Sequence, residues 1–115
     1  MNSNNLKEAG KCISKEEIRE QIDLIDSEII YLFSKRFDYV REIVKFKTDN
    51  KSIVAQERKD EVIKLRGEWA EKTGLDKSTF EEIFRLLIDN NIEKEIKILE
   101  KMTPKSPKGD SKSLQ

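Results

Sequence analysis

At 115 residues the chain has the length of a single domain, and its 23 basic and 23 acidic residues cancel to a formal net charge of zero. That balance supplies no basic stripe for nucleic acid or an anionic membrane, and the absence of histidine removes imidazole bases, Ser-His and Cys-His nucleophile pairs and nearly all zinc sites. Charged residues at 40% against 36% hydrophobic, with two prolines and four glycines, fit amphipathic helices with solvated outer faces.

Residues 1–13 read as a flexible leader without an apolar h-region. The lone Cys12 has no intramolecular disulfide partner, which fits a reduced, cytoplasmic setting. Ser14 and Glu17 have the S-x-x-E spacing of a capping box and open the first helical pattern. Its inward positions are Ile18, Ile22, Ile25, Ile29, Arg36, Val40, Ile43 and Lys47, each three, four or seven residues from the last. The pattern predicts a helix to about Thr48, stopped by the turn-like Asp49-Asn50-Lys51-Ser52. A second helix carries Val54, Arg58, Val62, Leu65 and Trp69 on one side, with Trp69 expected in the core, and Gly74-Leu75 forms a Schellman-type stop. Ser78 and Glu81 repeat the capping-box spacing before a third helix that presents Phe80, Ile83, Phe84, Leu87, Ile88, Asn91, Glu95 and Leu99. Residues 14–102 form the helical domain, and the Pro-, Lys- and Ser-rich segment 103–115 is expected to be disordered. No stretch approaches a membrane span.

Four of the inward positions are ionisable: Arg36, Lys47, Arg58 and Glu95. A charge on an apolar stripe is costly unless something pairs with it. Register-setting polar residues of a helical bundle would account for any one of them. Three cations and a carboxyl group together point to a cavity for an anionic ligand. Arg19, at the margin of the first stripe, is most simply solvated. A first helix of about 34 residues would be roughly 50 Å long at about 1.5 Å per residue, and would overhang any partner helix of its own chain. An intertwined dimer removes the overhang, and would let Arg19 reach the partner's cavity.

The series I-R-E-Q-I-D-L-I-D (Ile18 to Asp26), K-R-F-D-Y-V (Lys35 to Val40), F-K (Phe46, Lys47), E-R (Glu57, Arg58) and I-E-K-E-I (Ile92 to Ile96) resembles the all-helical chorismate mutases. R-F-D-Y-V and W-A-E-K-T-G-L-D (Trp69 to Asp76) are most similar to the isochorismate-pyruvate lyase branch. The resemblance covers about residues 14–101. It implies an all-α, three-helix subunit with a long first helix, an intertwined homodimer with two equivalent cavities, and no cofactor or metal. It also implies that Arg36, Lys47 and Arg58 of one chain join Arg19 of the other as the catalytic cations. Arg19 and Arg36 would hold the enol-pyruvyl carboxylate and Arg58 the ring carboxylate, a task suited to the planar guanidinium fork. Lys47 and Glu95 would donate to the ether oxygen as the C–O bond breaks.

Three departures from the family pattern bear on the substrate. Glu95 stands where most bacterial members have glutamine; Lys59 and Ala55 stand where mutases often place the acids that hold the ring hydroxyl. Asn91, one turn before Glu95, is a candidate substitute contact. The expected activity is conversion of chorismate to prephenate. The alternatives are lysis of isochorismate to salicylate and pyruvate, or a non-catalytic helical domain that binds a metabolite or partner enzyme.

Overall fold

The computed structural model describes residues 5–102, so the expected tail at 103–115 and the first four leader residues lie outside the described part. Among the described residues there is no strand. The main helices are α1 (Lys15–Ile43), α2 (Asn50–Val54), α3 (Gln56–Lys72) and α4 (Lys77–Met102), with 3-10 turns at Ala9–Lys11 and Val44–Phe46. The three expected long helices are therefore present, and a one-turn helix stands between the first two. The chain divides into two compact units, residues 1–39 and 40–115.

In the first unit, Ser14 caps α1: its Oγ accepts from Glu17 N at 3.0 Å. The reciprocal half of the expected box is shifted by one residue, since Glu17 Oε1 accepts from Ile13 N at 3.2 Å. The same carboxylate pairs with Lys7 Nζ at 2.6 Å, and Lys7 N donates to Gln21 Oε1 at 2.8 Å. The leader expected to be flexible thus makes defined contacts with α1 from Lys7 onward. Hydrogen bonding to Lys7 holds the Glu17 carboxyl below its ordinary range. Within α1 no residue is buried, and Ile18, Ile22, Ile25 and Ile29 are all exposed.

The second unit begins in the last turn of α1, where the structure corrects the expected helix end. The helix stops at Ile43 rather than near Thr48, tightens into the 3-10 turn, and leaves Lys47 extended at φ −101°, ψ 144°. The i→i+3 bond from Lys47 N to Val44 O closes that turn at 2.9 Å. The early stop has a local cause: Asp49 is the N-cap of α2, an extended position that a continuing helix does not allow. Its carboxylate accepts from Ser52 N at 2.8 Å, in a complete capping box. The polar run Asp49 to Ser52, expected to be a turn, is a helix start.

Ala55, at φ 36° and ψ 66°, ends α2 and begins α3. A left-handed alanine is unfavourable by about 1–2 kcal/mol, so the surrounding packing must hold it. The buried face of α3 also differs from the expected one. Val54 belongs to a different helix, and the buried residues of α3 are Val62, Ile63, Gly67 and Ala70. Trp69, expected in the core, is 51% exposed, with the Arg66 guanidinium 4.5 Å from its ring centroid. Gly67 explains the shift, because a Cβ there would lie 2.6 Å from Glu81 Cγ on α4, closer than carbon atoms approach. The small residues face the neighbouring helix and the indole faces outward.

Gly74 ends α3 as expected. It lies at φ 83°, with Leu75 N donating to Ala70 O and Gly74 N to Glu71 O, the two bonds of a Schellman motif. The cap of α4 is Asp76, two residues before the expected Ser78: its Oδ2 accepts from Thr79 N at 2.9 Å and Ser78 Oγ at 3.0 Å. Along α4 the expected face holds, apart from an exposed Ile83, and ends in the buried Asn91, Glu95 and Leu99. Leu99 packs with Val44 and Ile53, and Ile92, Ile96 and Ile98 lie against this cluster. Completely burying Val44 contributes about 1.5–3 kcal/mol.

Candidate functional site

The second unit contains four of the six candidate residues: Lys47, Asn91 and Glu95 are on or beside elements that contribute to the Val44, Ile53 and Leu99 cluster, and Arg58 is on α3. Asn91 and Glu95 lie one turn apart on α4, and Leu99 is one turn further, so all three share a face. Their exposures of 6%, 8% and 9% make the two polar side chains as inaccessible as the core leucine. A carboxyl group at that depth sits in a low-dielectric setting, where a hydrogen bond to a ligand is stronger than in water.

Lys47 is tied to two elements of the same cluster. The 3-10 turn fixes its backbone to Val44, the most buried residue, and its Nζ donates to Ser52 O at 2.9 Å, next to Ile53. It is half-buried, but it lies in a connection rather than on the stripe of α1. Helical spacing between Arg36 and Lys47 therefore does not apply. Ser52, which the sequence offered only as a turn residue, is the partner that orients the lysine.

Arg58 occupies the first turn of α3 and is exposed rather than inward, with Nη1 paired to Glu61 Oε1 at 3.2 Å. It borders an open hollow of about 560 Å3 lined by Lys51, Val54, Ala55, Gln56, Glu57 and itself. That hollow does not include Lys47, Asn91 or Glu95, so it is not the cavity expected around the buried carboxyl. Its lining is largely apolar, with Lys51 and Arg58 beside the acidic Glu57. The N-terminus of α3 carries no side-chain cap, and its backbone N–H groups and dipole favour negative charge beside Arg58 and Lys51. Arg66, two turns along, is lowered from its ordinary value by burial and then by the charge of Arg58. It faces the rings of Trp69 and of Phe84 on α4.

Arg19 and Arg36 belong to the first unit. Arg19 is exposed and Arg36 half-buried on α1. Of the four ionisable residues expected to face inward, Glu95 is buried, Lys47 and Arg36 are intermediate, and Arg58 is exposed. No helix of the described residues is long and apolar enough to cross a membrane.

Known proteins share this sequence pattern. The family model for chorismate mutase type II matches residues 18–96, a span that includes all six candidate residues. The isochorismate pyruvate lyase of Pseudomonas aeruginosa is 36% identical over 92 residues, which cover 80% of this chain and 91% of that protein. The T-protein of Haemophilus influenzae is 34% identical over 70 residues, which cover 60% of this chain and 19% of that protein.

Proposed function

The chain belongs to the chorismate mutase type II family, and from that premise we propose that it converts chorismate to prephenate as a cytoplasmic homodimer. The observation that carries the reading is the depth of Glu95, one turn from the equally buried Asn91 and adjoining the cluster that anchors Lys47. A pericyclic rearrangement needs no nucleophile and no covalent intermediate. It needs the enol-pyruvyl group held over the ring, a restriction of geometry that bound carboxylates can impose. Arg58 at the uncapped start of α3 serves the ring carboxylate, while Arg36, with Arg19 of the second chain, serves the side-chain carboxylate. As the C–O bond breaks and the C–C bond forms, charge grows on the ether oxygen. The Lys47 ammonium and a protonated Glu95 donate to it. Asn91 contacts the ring substituents. The dimer is supported by α1, whose apolar stripe Ile18, Ile22, Ile25 and Ile29 is exposed in the single chain.

A second reading, lysis of isochorismate, is favoured by specific residues. Ala55 offers no acid, and Lys59 is turned to Asp89, so neither position supplies a carboxylate for a mutase substrate's ring hydroxyl. The similarity to the Pseudomonas aeruginosa lyase over most of that protein supports the same reading. Purified protein incubated separately with chorismate and with isochorismate decides between them, with prephenate, salicylate and pyruvate resolved by chromatography. Prephenate from chorismate is the expected product. Salicylate and pyruvate alone would establish the lyase, and turnover of neither would leave a binding domain.

A further inference from the structure

The proposed chemistry gives Lys59 no part, yet this residue is built into the fold. It follows Arg58 directly, its side chain is 18% exposed, and its Nζ meets Asp89 Oδ1 of α4 at 2.5 Å. Between Gln56 and Glu61 every residue except Lys59 is exposed, and the buried face of α3 begins only at Val62. The first turn of α3 therefore has little apolar packing to hold it. Behind it lies the left-handed joint at Ala55, without a side-chain cap. Arg58 does not supply an anchor either: its bridge to Glu61 is exposed and lies within α3, so it moves with the helix. Lys59 does supply one. Its N–H donates to Ala55 O at 3.0 Å, which ties it to the joint, and its ammonium ties that same turn to α4.

We infer that the Lys59–Asp89 pair is a positioning clamp that sets where the Arg58 guanidinium stands relative to Asn91 and Glu95. This rests on the reading that Arg58 binds a substrate carboxylate. Lys59 itself touches no substrate; it acts through the pitch of the first turn of α3. Asp89 lies two residues before Asn91, so the pair links the helix turn that carries the cation to the stretch of α4 that carries the buried polar groups. A displacement of about 1 Å in such an arrangement is enough to cost up to about a hundredfold in rate.

The test compares the full-length wild type with Lys59→Met, Asp89→Asn, the combination of both, and the exchanged pair Lys59→Glu/Asp89→Lys. Each single variant should raise KM about tenfold with kcat within about twofold, because binding rather than the reacting centre is disturbed. The combined neutral variant should be no worse than either single one, and the exchange should recover most of the loss. Nitrogen-detected NMR of the free protein supplies a readout independent of turnover. The Arg58 Nε–Hε signal and the amides of Gln56 to Lys59 should shift in both single variants and return in the exchange. Unchanged KM, or losses that multiply in the combined variant, would overturn the clamp. So would a kinetic loss with unmoved Arg58 signals, which would mean direct contact of Lys59 with substrate. Should the wild type turn over neither substrate, the functional reading fails, and the NMR shifts alone still uphold or overturn the clamp.

Discussion

Replacing Gly67 by alanine sets two effects of known size against each other. Alanine is a better helix former than glycine by about 0.8–1.0 kcal/mol in a helix interior, so on propensity alone the variant should be more stable. The new Cβ, however, would lie 2.6 Å from Glu81 Cγ, 2.8 Å from Glu81 Oε2 and 3.0 Å from Lys77 Cγ. Ordinary carbon contacts begin near 3.5 Å, so Glu81 must move by about 1 Å or α4 must retreat. Overpacking of this kind costs about 1–3 kcal/mol. Rotating Glu81 away relieves two of the three contacts, but Lys77 Cγ remains. Taking about 2 kcal/mol for the clash, we expect Gly67→Ala to be less stable by about 1 kcal/mol. Glu81→Ala removes both of the nearest atoms, so Gly67→Ala made in that background should regain the propensity gain and be neutral or stabilising. The two effects of Gly67→Ala, measured by urea unfolding at one fixed protein concentration, should therefore differ by about 1–2 kcal/mol. A stabilising Gly67→Ala in the wild-type background, or equal effects in both, would refute the close approach of α3 and α4.

Asp76 gives a prediction in pH. Hydrogen bonds from Thr79 and Ser78 hold its carboxyl below the ordinary 3.8, so its stabilising effect is full above the unfolded pKa and is lost as pH falls through the folded one. Asp76→Ala should lower the melting temperature at pH 7, and the gap from wild type should narrow and close as the pH falls below 3.8 and through the lowered folded value; a constant gap would remove the cap from α4. For Glu95, a carboxylic acid donates to the ether oxygen only when protonated, so kcat should be highest at low pH and fall as the group ionises. Glu95→Gln donates at every pH and should flatten that profile, whereas identical profiles with folding verified would exclude Glu95 from the chemistry. Inactive Arg19→Ala and Arg36→Ala chains, mixed and shown to exchange, should recover part of the activity, because one cavity of the heterodimer regains both arginines. No recovery would argue against Arg19 acting across the interface.

The helices were legible because their signals are local and repeated. The buried end of α4 follows from residues spaced by three and four, and Gly74 supplies the positive φ that its Schellman stop requires. Misreadings fall where one local preference overrides another. Asp49 and Ser52 look like a turn because both are turn residues, yet the same oxygens satisfy helix N–H groups, and the structure uses them so. Ser78 with Glu81 has the correct spacing for a cap, but Asp76 lies two residues earlier and takes Thr79 N and both nearby hydroxyls. Neither choice can be made from residue type alone.

The candidate residues were legible by type and less so in their placement. Periodicity treats Val54 to Trp69 as one helix, which turns Arg58 inward with Val62 and Trp69. Ala55 interrupts that helix with a conformation its side chain disfavours, so nothing in the residue type announces it. Within α3, Arg58, Val62 and Trp69 still share one side, but the buried face is turned by roughly 80° from it, towards Ile63, Gly67 and Ala70, so Trp69 and Arg58 are exposed. An exposed arginine at a helix N-terminus suits an anion that arrives from solvent better than a buried one would, since it is desolvated only when the ligand binds. Glu95 is the opposite case. Its side chain is desolvated by the fold itself, and its place on the stripe was readable because α4 runs unbroken from Lys77 to Met102. In the proposed reaction, the exposed Arg58 captures a carboxylate from solvent, and the buried Glu95 carboxyl serves the bond that breaks.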